Sequence, residues 1–308
     1  MARRKVAQLN ALIAVDKPIG VTSHDVVARV RRAVGERRVG HAGTLDPLAT
    51  GVMVVGIGQA TRLLGMLTLD IKSYVAQIRF GCESVTDDAE GEASREVPVD
   101  ACLFEESFAR DALARLLGDQ MQTPPAYSAI SVDGVRSYKR ARAGEDVELA
   151  PRPVTVHAAE LYGIAHEDGA PVWTAGFTVS KGTYIRALAR DLGRAVGSAA
   201  HLVALRRTAS GSVGIERCLA LNTLSVDIAR ASALDPVAAL DVPALVLSEA
   251  QVADVLCGKV VAPHGELPAE GARVALVREG TLVALGEVAC GCVRPRDVFP
   301  QPIEGVRL

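Results

Sequence analysis

The stretch His41-Ala42-Gly43-Thr44-Leu45-Asp46-Pro47-Leu48-Ala49-Thr50-Gly51 concentrates residue types that can do chemistry. Its two glycines and its proline permit a sharply bent loop able to present Asp46 beside a pocket. A carboxylate there can act as a covalent nucleophile or as a base, and in either role it must stay ionised where water is excluded. Taken alone, an Asp-Pro pair is better read as an aspartate capping its own turn. A nearby arginine would hold Asp46 ionised. Arg186, at the start of a helix and close to Tyr184, is a candidate, against the plainer reading of a surface arginine in a row of three. His41, five residues before Asp46, is the histidine placed to share its site. The other histidines are scattered, and no H-E-x-x-H or His/Cys cluster announces a metal. Gly56-Ile57-Gly58-Gln59-Ala60-Thr61 follows a strand much as a dinucleotide-binding loop does. Thr61 replaces the third glycine, however, and no ribose-binding acid is evident downstream, so a turn with two glycines is the better reading.

The elements that must position these residues are legible in outline. Leu12 to Val15 reads as a short buried strand, followed by a turn at Pro18 and Gly20. A helix then opens at Thr22 with Asp25 at the capping-box position, carries Val26, Val27, Val30 and Val34 as its apolar stripe, and ends at Gly35. Val52 to Ile57 and Tyr74 to Phe80 read as strands. Phe108, Ala112, Leu113 and Leu116 predict a second amphipathic helix stopping near Gly118. Residues 120–153 are Pro-flanked, basic in the middle and poor in core residues, as expected of an insertion. Val154 to Ile164 and Val172 to Val179 return to strand patterning. Ser180-Lys181-Gly182-Thr183 then turns into a helix with Ile185, Leu188 and Leu192 inward and Arg186, Arg190 and Arg194 along one face. After Leu240 the texture changes, with Ser248 and Gln251 forming a capping box and strands flanking Arg278-Glu279-Gly280. The expected division is residues 1–242 and a small β-rich module, 243–308.

The chain has 308 residues, 49% of them hydrophobic and 23% charged, enough for a large core and against intrinsic disorder. The net charge of −2 hides its distribution. Residues 1–62 hold ten basic against four acidic residues, a balance of +6, and residues 181–217 hold seven against two, or +5. Arg136, Lys139, Arg140 and Arg142 sit together without acids, whereas residues 83–111 carry ten acids and two arginines, or −8. Such blocks predict a basic face able to neutralise phosphates, bearing Asp46, and an acidic back. The plainer alternative is ordinary solvated helix faces. Six cysteines without framework spacing read as reduced thiols of a cytosolic protein, with Cys290 and Cys292 on one face of a strand. No apolar run approaches the roughly 20 residues of a membrane helix.

Several motifs together resemble one family. Asp16-Lys17-Pro18-Ile19-Gly20, the stretch from His41 to Gly51, Lys72-Ser73-Tyr74, Pro124-Pro125-Ala126-Tyr127-Ser128-Ala129, Ser180 to Arg186, and Leu205-Arg206-Arg207 occur in the order found in bacterial tRNA pseudouridine-55 synthases of the TruB family. The resemblance runs from about Leu12 to Thr208 and continues more weakly to the end. It implies an α+β fold with a mixed, largely antiparallel central sheet flanked by helices, an inserted segment that grips RNA, and a small PUA-like C-terminal β-module. It also implies isomerisation of one uridine in the T loop of tRNA, with no cofactor and no metal; beside it, a cytoplasmic monomer with no membrane association and no obligate protein partner is expected. Asp46 falls on the family's catalytic aspartate, Tyr74 on the tyrosine that stacks on the target base, and Arg186 on the arginine that pairs with the aspartate. His41 matches the histidine associated with flipping the nucleotide out, Tyr184 and Leu205 further pocket residues, and Lys17-Pro18 a motif that supports the catalytic loop. With His41, Tyr184 and Leu205, Lys17 is expected on the substrate-binding side of the site. Ile130-Ser131 departs from the family where a basic residue is expected, and Ala42 replaces a frequent Thr.

The physical demands of the reaction agree with these roles. The C1′–N1 bond must break, the uracil must turn and rejoin through C5, and the detached base must be retained away from water. Extruding the base costs a few kcal/mol, offset by stacking and phosphate contacts. Attack at C1′, addition to the base and removal of a ribose proton are all open to Asp46. A tRNA-binding or RNA-folding protein without catalysis is the alternative from another class, and an enzyme using Gly56 and Gly58 for a dinucleotide ranks last.

Overall fold

The computed structural model describes residues 7–307 except 68–70, 129, 133, 138–139, 141–142, 146–148 and 263–265, and for 131, 132 and 136 it describes the backbone alone. The chain forms two compact units. The first comprises residues 1–47, 51–69 and 210–308, the second 48–50 and 70–209.

Unit one begins with β1 (Ala11–Lys17), buried along nearly its whole length. Helix α1 (Ser23–Val34) follows, opened by the expected capping box: the Thr22 side chain accepts from the Asp25 amide, and the Asp25 carboxylate accepts from the Thr22 amide. Val26, Val27, Val30 and Val34 are its buried face, and Gly35, at φ 64°, ends it. β2 (Val39–Ala42) and β1 both pair antiparallel with β3 (Ala49–Ile57), the latter setting Lys17 opposite Gly51. The Gly56–Gly58 turn carries no dinucleotide geometry. The Gly58 amide donates to the Arg38 carbonyl and the Gln59 amide to Asn10 Oδ1, so those donors already serve the fold.

Unit two is built on β4 (Lys72–Phe80), helix α2 (Glu106–Ala114), β5 (Gly118–Gln122), β6 (Arg152–Glu167), β7 (Ala170–Val179), helix α3 (Ile185–Ala195) and β8 (Ala200–Ser210). The strands run in the order β8-β4-β7-β6-β5, with antiparallel pairing from β4 through to β5. Trp173 is fully buried, packs its ring 4.3 Å from that of Phe80 and donates its indole N–H to the Leu103 carbonyl. Gly118 differs from its expected role. Helix α2 closes at Arg115, and Gly118 opens β5, pairing with Val156, so Gln120 to Gln122 belong to the sheet. Of the basic cluster expected in the insertion, Lys139 and Arg142 lie outside the described residues, as does the side chain of Arg136.

Unit one resumes with β9 (Cys218–Ala220), parallel to β1, and continues into β10 (Ala244–Val246), helix α4 (Glu249–Leu256), β11 (Arg273–Arg278), β12 (Thr281–Ala289) and β13 (Cys292–Glu304). The last four strands form their own sheet. The Ser248–Gln251 capping box is present, and Glu279 and Gly280, at φ 46° and 73°, make the expected hairpin turn. Cys290 and Cys292 do not share a strand face. Cys290, at φ 53°, forms a second hairpin turn with Gly291, and Cys292 begins the next strand. One core joins Leu12, Ala14, Val52 and Val54 to Ala275, Val277, Leu285, Phe299 and Ile303, while a second lies within the C-terminal module. The C-terminal sheet therefore shares burial with β1 and β3. No helix among the described residues is long and apolar enough to cross a membrane.

Phe299 is fully buried in the shared core, with the Arg62 guanidinium 5.0 Å from its ring centre. Phe299→Ala is expected to cost about 3–5 kcal/mol of stability, as aromatic truncations in cores do. Urea unfolding followed by tryptophan fluorescence and by circular dichroism checks this, and a loss below about 1 kcal/mol would contradict the shared core.

Candidate active site

Asp46 lies in the half-buried bend between β2 and β3. Its position follows from the backbone on either side. The Ser23 hydroxyl, on the first residue of α1, accepts from the Leu45 amide at 2.9 Å and donates to the Leu45 carbonyl at 3.0 Å. Beyond Asp46, the Pro47 carbonyl accepts from the Lys17 ammonium at 3.2 Å and from the Gly20 amide at 2.9 Å. Lys17 is fully buried and also donates to the Pro18 carbonyl at 3.0 Å. A buried ammonium held by main-chain carbonyls ties the loop to the end of β1, the kind of support that the Lys17-Pro18 motif leads one to expect. His41 stands on β2 opposite Val55, half-buried, its ring edge-on to that of His24 at 6.4 Å. Unit one thus gathers Lys17, His41 and Asp46 around a single bend.

In unit two, Tyr74 sits on β4 opposite Phe177, 8% exposed, which presents an aromatic ring beside an apolar wall. Leu205 is a buried residue of β8 whose carbonyl accepts from the Thr50 hydroxyl at 3.5 Å. Tyr184 occupies the N-cap of α3. The buried Gln122 side chain holds it at both ends, accepting from the Tyr184 amide at 2.8 Å and donating to the Tyr184 carbonyl at 3.1 Å. Two residues further on, Arg186 is buried and donates to the carbonyls of Thr86 and Tyr127, both at 2.9 Å, with Asp88 3.3 Å away.

The arginine row on α3 is a built electrostatic feature. Arg190 pairs with Asp87 at 2.8 Å and donates to the Thr123 carbonyl; Arg194 makes a two-pronged contact with Glu83 at 2.6 and 2.9 Å. Arg95 reaches the same glutamate. The acidic segment is therefore not a separate back to the molecule, because its buried members Glu83, Asp87 and Asp88 face the arginines of α3. Hydrogen bonds from Arg194 and Arg95 hold the Glu83 carboxyl below its ordinary range despite burial. At Asp87 burial outweighs Arg190 and Arg186 and lifts the carboxyl to about 6. Arg29, Arg32, Arg37 and Arg38 of unit one remain exposed, as a phosphate-binding surface requires. Ser23, Gln122 and the acids facing α3 escaped sequence reading because a lone Ser or Gln carries no spacing signal and the acids read as a charge block.

A family profile described as "TruB family pseudouridylate synthase (N terminal domain)" matches residues 31–185, and one described as "tRNA pseudouridylate synthase B C-terminal domain" matches residues 186–240. The chain belongs to the TruB family. Among its relatives, the proteins named "tRNA pseudouridine synthase B" from Arthrobacter sp. (strain FB24) and Thermobifida fusca (strain YX) are 44% and 46% identical to it. Each alignment covers 94% of this chain and 97% or 98% of the relative. Similar solved structures include a Cbf5–Nop10–Gar1 complex, at 27% identity and TM-score 0.66 over 95% of this chain and 85% of that one. An H/ACA RNP bound to a substrate RNA containing 2′-deoxyuridine matches at 25% identity and TM-score 0.64, over 94% and 84%. TruB membership agrees with the mixed α+β architecture seen in both units.

Between pH 4 and 6 the folded chain holds a proton on Asp87 that the unfolded chain has released. The stabilisation from this group is full below the unfolded value and is lost as pH rises through about 6. It amounts to on the order of 2–3 kcal/mol. Asp87→Asn is expected to remove that part of the pH dependence, and urea unfolding at pH 4.5, 5.5 and 6.5 compares the slopes; identical slopes would refute it.

Proposed function

We propose that this chain converts uridine 55 in the T loop of tRNA to pseudouridine, with Asp46 as the catalytic carboxylate. The observation that supports the reading is the loop that bears Asp46, whose His41–Gly51 stretch resembles the family's catalytic motif and which is braced on both sides, in a chain whose relatives are named tRNA pseudouridine synthases. The reaction is an isomerisation: C1′–N1 breaks, C1′–C5 forms, the hydrogen on C5 leaves and N1 gains one. No atoms are added, so the protein's tasks are to extract the base, retain it and stabilise the charge that develops.

Each remaining residue takes a part in those tasks. Tyr74 supplies the stacking face for the flipped uracil, with Leu205 and Tyr184 completing an apolar, aromatic pocket. The resemblance gives Arg186 the part of the family's arginine, and His41 assists in displacing the nucleotide from its stack. The exposed arginines of unit one and the segment following β5 neutralise phosphates of the T arm. The C-terminal sheet acts as a PUA-like module, residues 243–308, following a catalytic region, residues 1–242. In this reading the enzyme works in the cytoplasm as a monomer, needing neither cofactor nor metal. The second reading, a tRNA-binding protein without catalysis, predicts salt-dependent binding without product.

Asp46→Asn and Asp46→Ala are expected to leave folding and tRNA binding near wild type and to abolish pseudouridine formation in a T-arm transcript. Full activity in either variant would overturn the role of Asp46. At Tyr74, the Phe variant keeps the stacking surface worth about 1–3 kcal/mol and the Leu variant does not. Turnover by Tyr74→Phe should therefore exceed that by Tyr74→Leu, and equal losses would refute stacking.

A further inference from the structure

We infer that Ser23 is the positioning residue of Asp46: its single hydroxyl fixes both polar backbone atoms of Leu45 and so sets where the next residue's carboxylate points. The inference rests on the reading that Asp46 is catalytic. The hydroxyl uses its lone pair toward the Leu45 amide at 2.9 Å and its proton toward the Leu45 carbonyl at 3.0 Å. Both residues are buried, Ser23 to 3% and Leu45 to 4% exposure, so water does not readily replace these bonds. A serine hydroxyl that accepts from the N–H and donates to the C=O of one residue holds the peptide planes on both sides of it, and the second of these leads into Asp46.

The anchor is itself rigid. Ser23 is the first residue of α1, directly after the N-cap Thr22, and the reciprocal Thr22–Asp25 bonds fix that first turn while Val26, Val27 and Val30 hold the helix in the core. The loop is thus tied to a helix terminus before Asp46 and to Lys17 and Gly20 after it. The two ties differ in kind. The Lys17 ammonium meets one carbonyl of Pro47, whereas the Ser23 hydroxyl meets donor and acceptor of one residue and so restricts rotation about the bonds flanking Asp46. The Ser-His-Asp run of the α1 first turn therefore serves the reaction as well as the helix: Asp25 caps, and Ser23 reaches across to the catalytic bend.

Single-turnover and steady-state formation of pseudouridine in a tRNA transcript test this. The variants are Ser23→Ala, Ser23→Cys, which retains side-chain volume with a poor hydrogen-bonding group, Val30→Ala and Asp46→Asn. Ser23→Ala and Ser23→Cys are expected to lower kcat about 10- to 100-fold, the scale of a misplaced reacting group. Their KM should stay within about twofold of wild type, the signature of an interaction felt in the transition state rather than in binding. Val30→Ala loosens the same helix about two turns from Ser23 while leaving the Ser23 hydroxyl in place, and should keep kcat near wild type below its melting temperature. If Asp46→Asn is inactive while both Ser23 variants turn over like Val30→Ala, the role of Asp46 stands and that of Ser23 falls. Turnover by Asp46→Asn overturns both.

Discussion

A buried ammonium group organises the first unit. Lys17 ends β1 with no exposure to solvent, and a charge so placed must be met by good acceptors or the strand would not form there. The Pro18 and Pro47 carbonyls are two such acceptors, and meeting them bends two chain segments toward one point. The Gly20 amide joins at the same carbonyl, and the Ser23 hydroxyl ties the residue before Asp46. The geometry of the β2–β3 bend is thus a consequence of satisfying main-chain and side-chain polar groups in a place that water does not reach. Little of it comes from the turn propensity of Asp-Pro.

The second unit applies the same constraint to the buried Arg186 and Arg190, and the exposed Arg194 continues their row. Spaced at four residues on α3, they meet Asp88, Asp87 and Glu83 together with the carbonyls of Thr86, Thr123 and Tyr127. The helix thereby fastens the acidic loop after β4 and the segment leaving β5 to one side of itself. Gln122, at the end of β5, holds the Tyr184 backbone two residues ahead of Arg186. An arginine row that looked like a phosphate-binding surface is largely an internal clamp. The charge total of −2 misleads in a different way from the one its distribution suggests, since part of the positive block is neutralised within the fold.

Elements with a local cause were legible. The Thr22–Asp25 and Ser248–Gln251 boxes, the Gly35 stop, the valine stripe of α1 and the turn at Glu279-Gly280 all depend on residues within a few positions of one another. Gly118 and Cys290 were misread because each has two local uses. A glycine can end a helix or open a strand, and a cysteine near a strand end can lie in the strand or in its turn, and pairing with a distant segment selects between them. The boundary expected near Val242 rests on a change of texture, whereas Phe299 and Ile303 share a core with Leu12 and Val54, a partnership with no signature along the chain.

The sequence by itself determined the chemistry available: an aspartate in a glycine-bounded loop, a set of ordered motifs that place the chain in the TruB family, and the helices and hairpins whose signals are local. Tertiary structure alone decided which groups hold which. It set the buried Lys17 ammonium against the Pro47 carbonyl, turned the acids of residues 83–88 into partners of α3, and gave Ser23 both polar atoms of Leu45. The reason is that a buried polar group must find a partner of opposite character, and that partner is chosen by proximity in space, which sequence spacing does not encode.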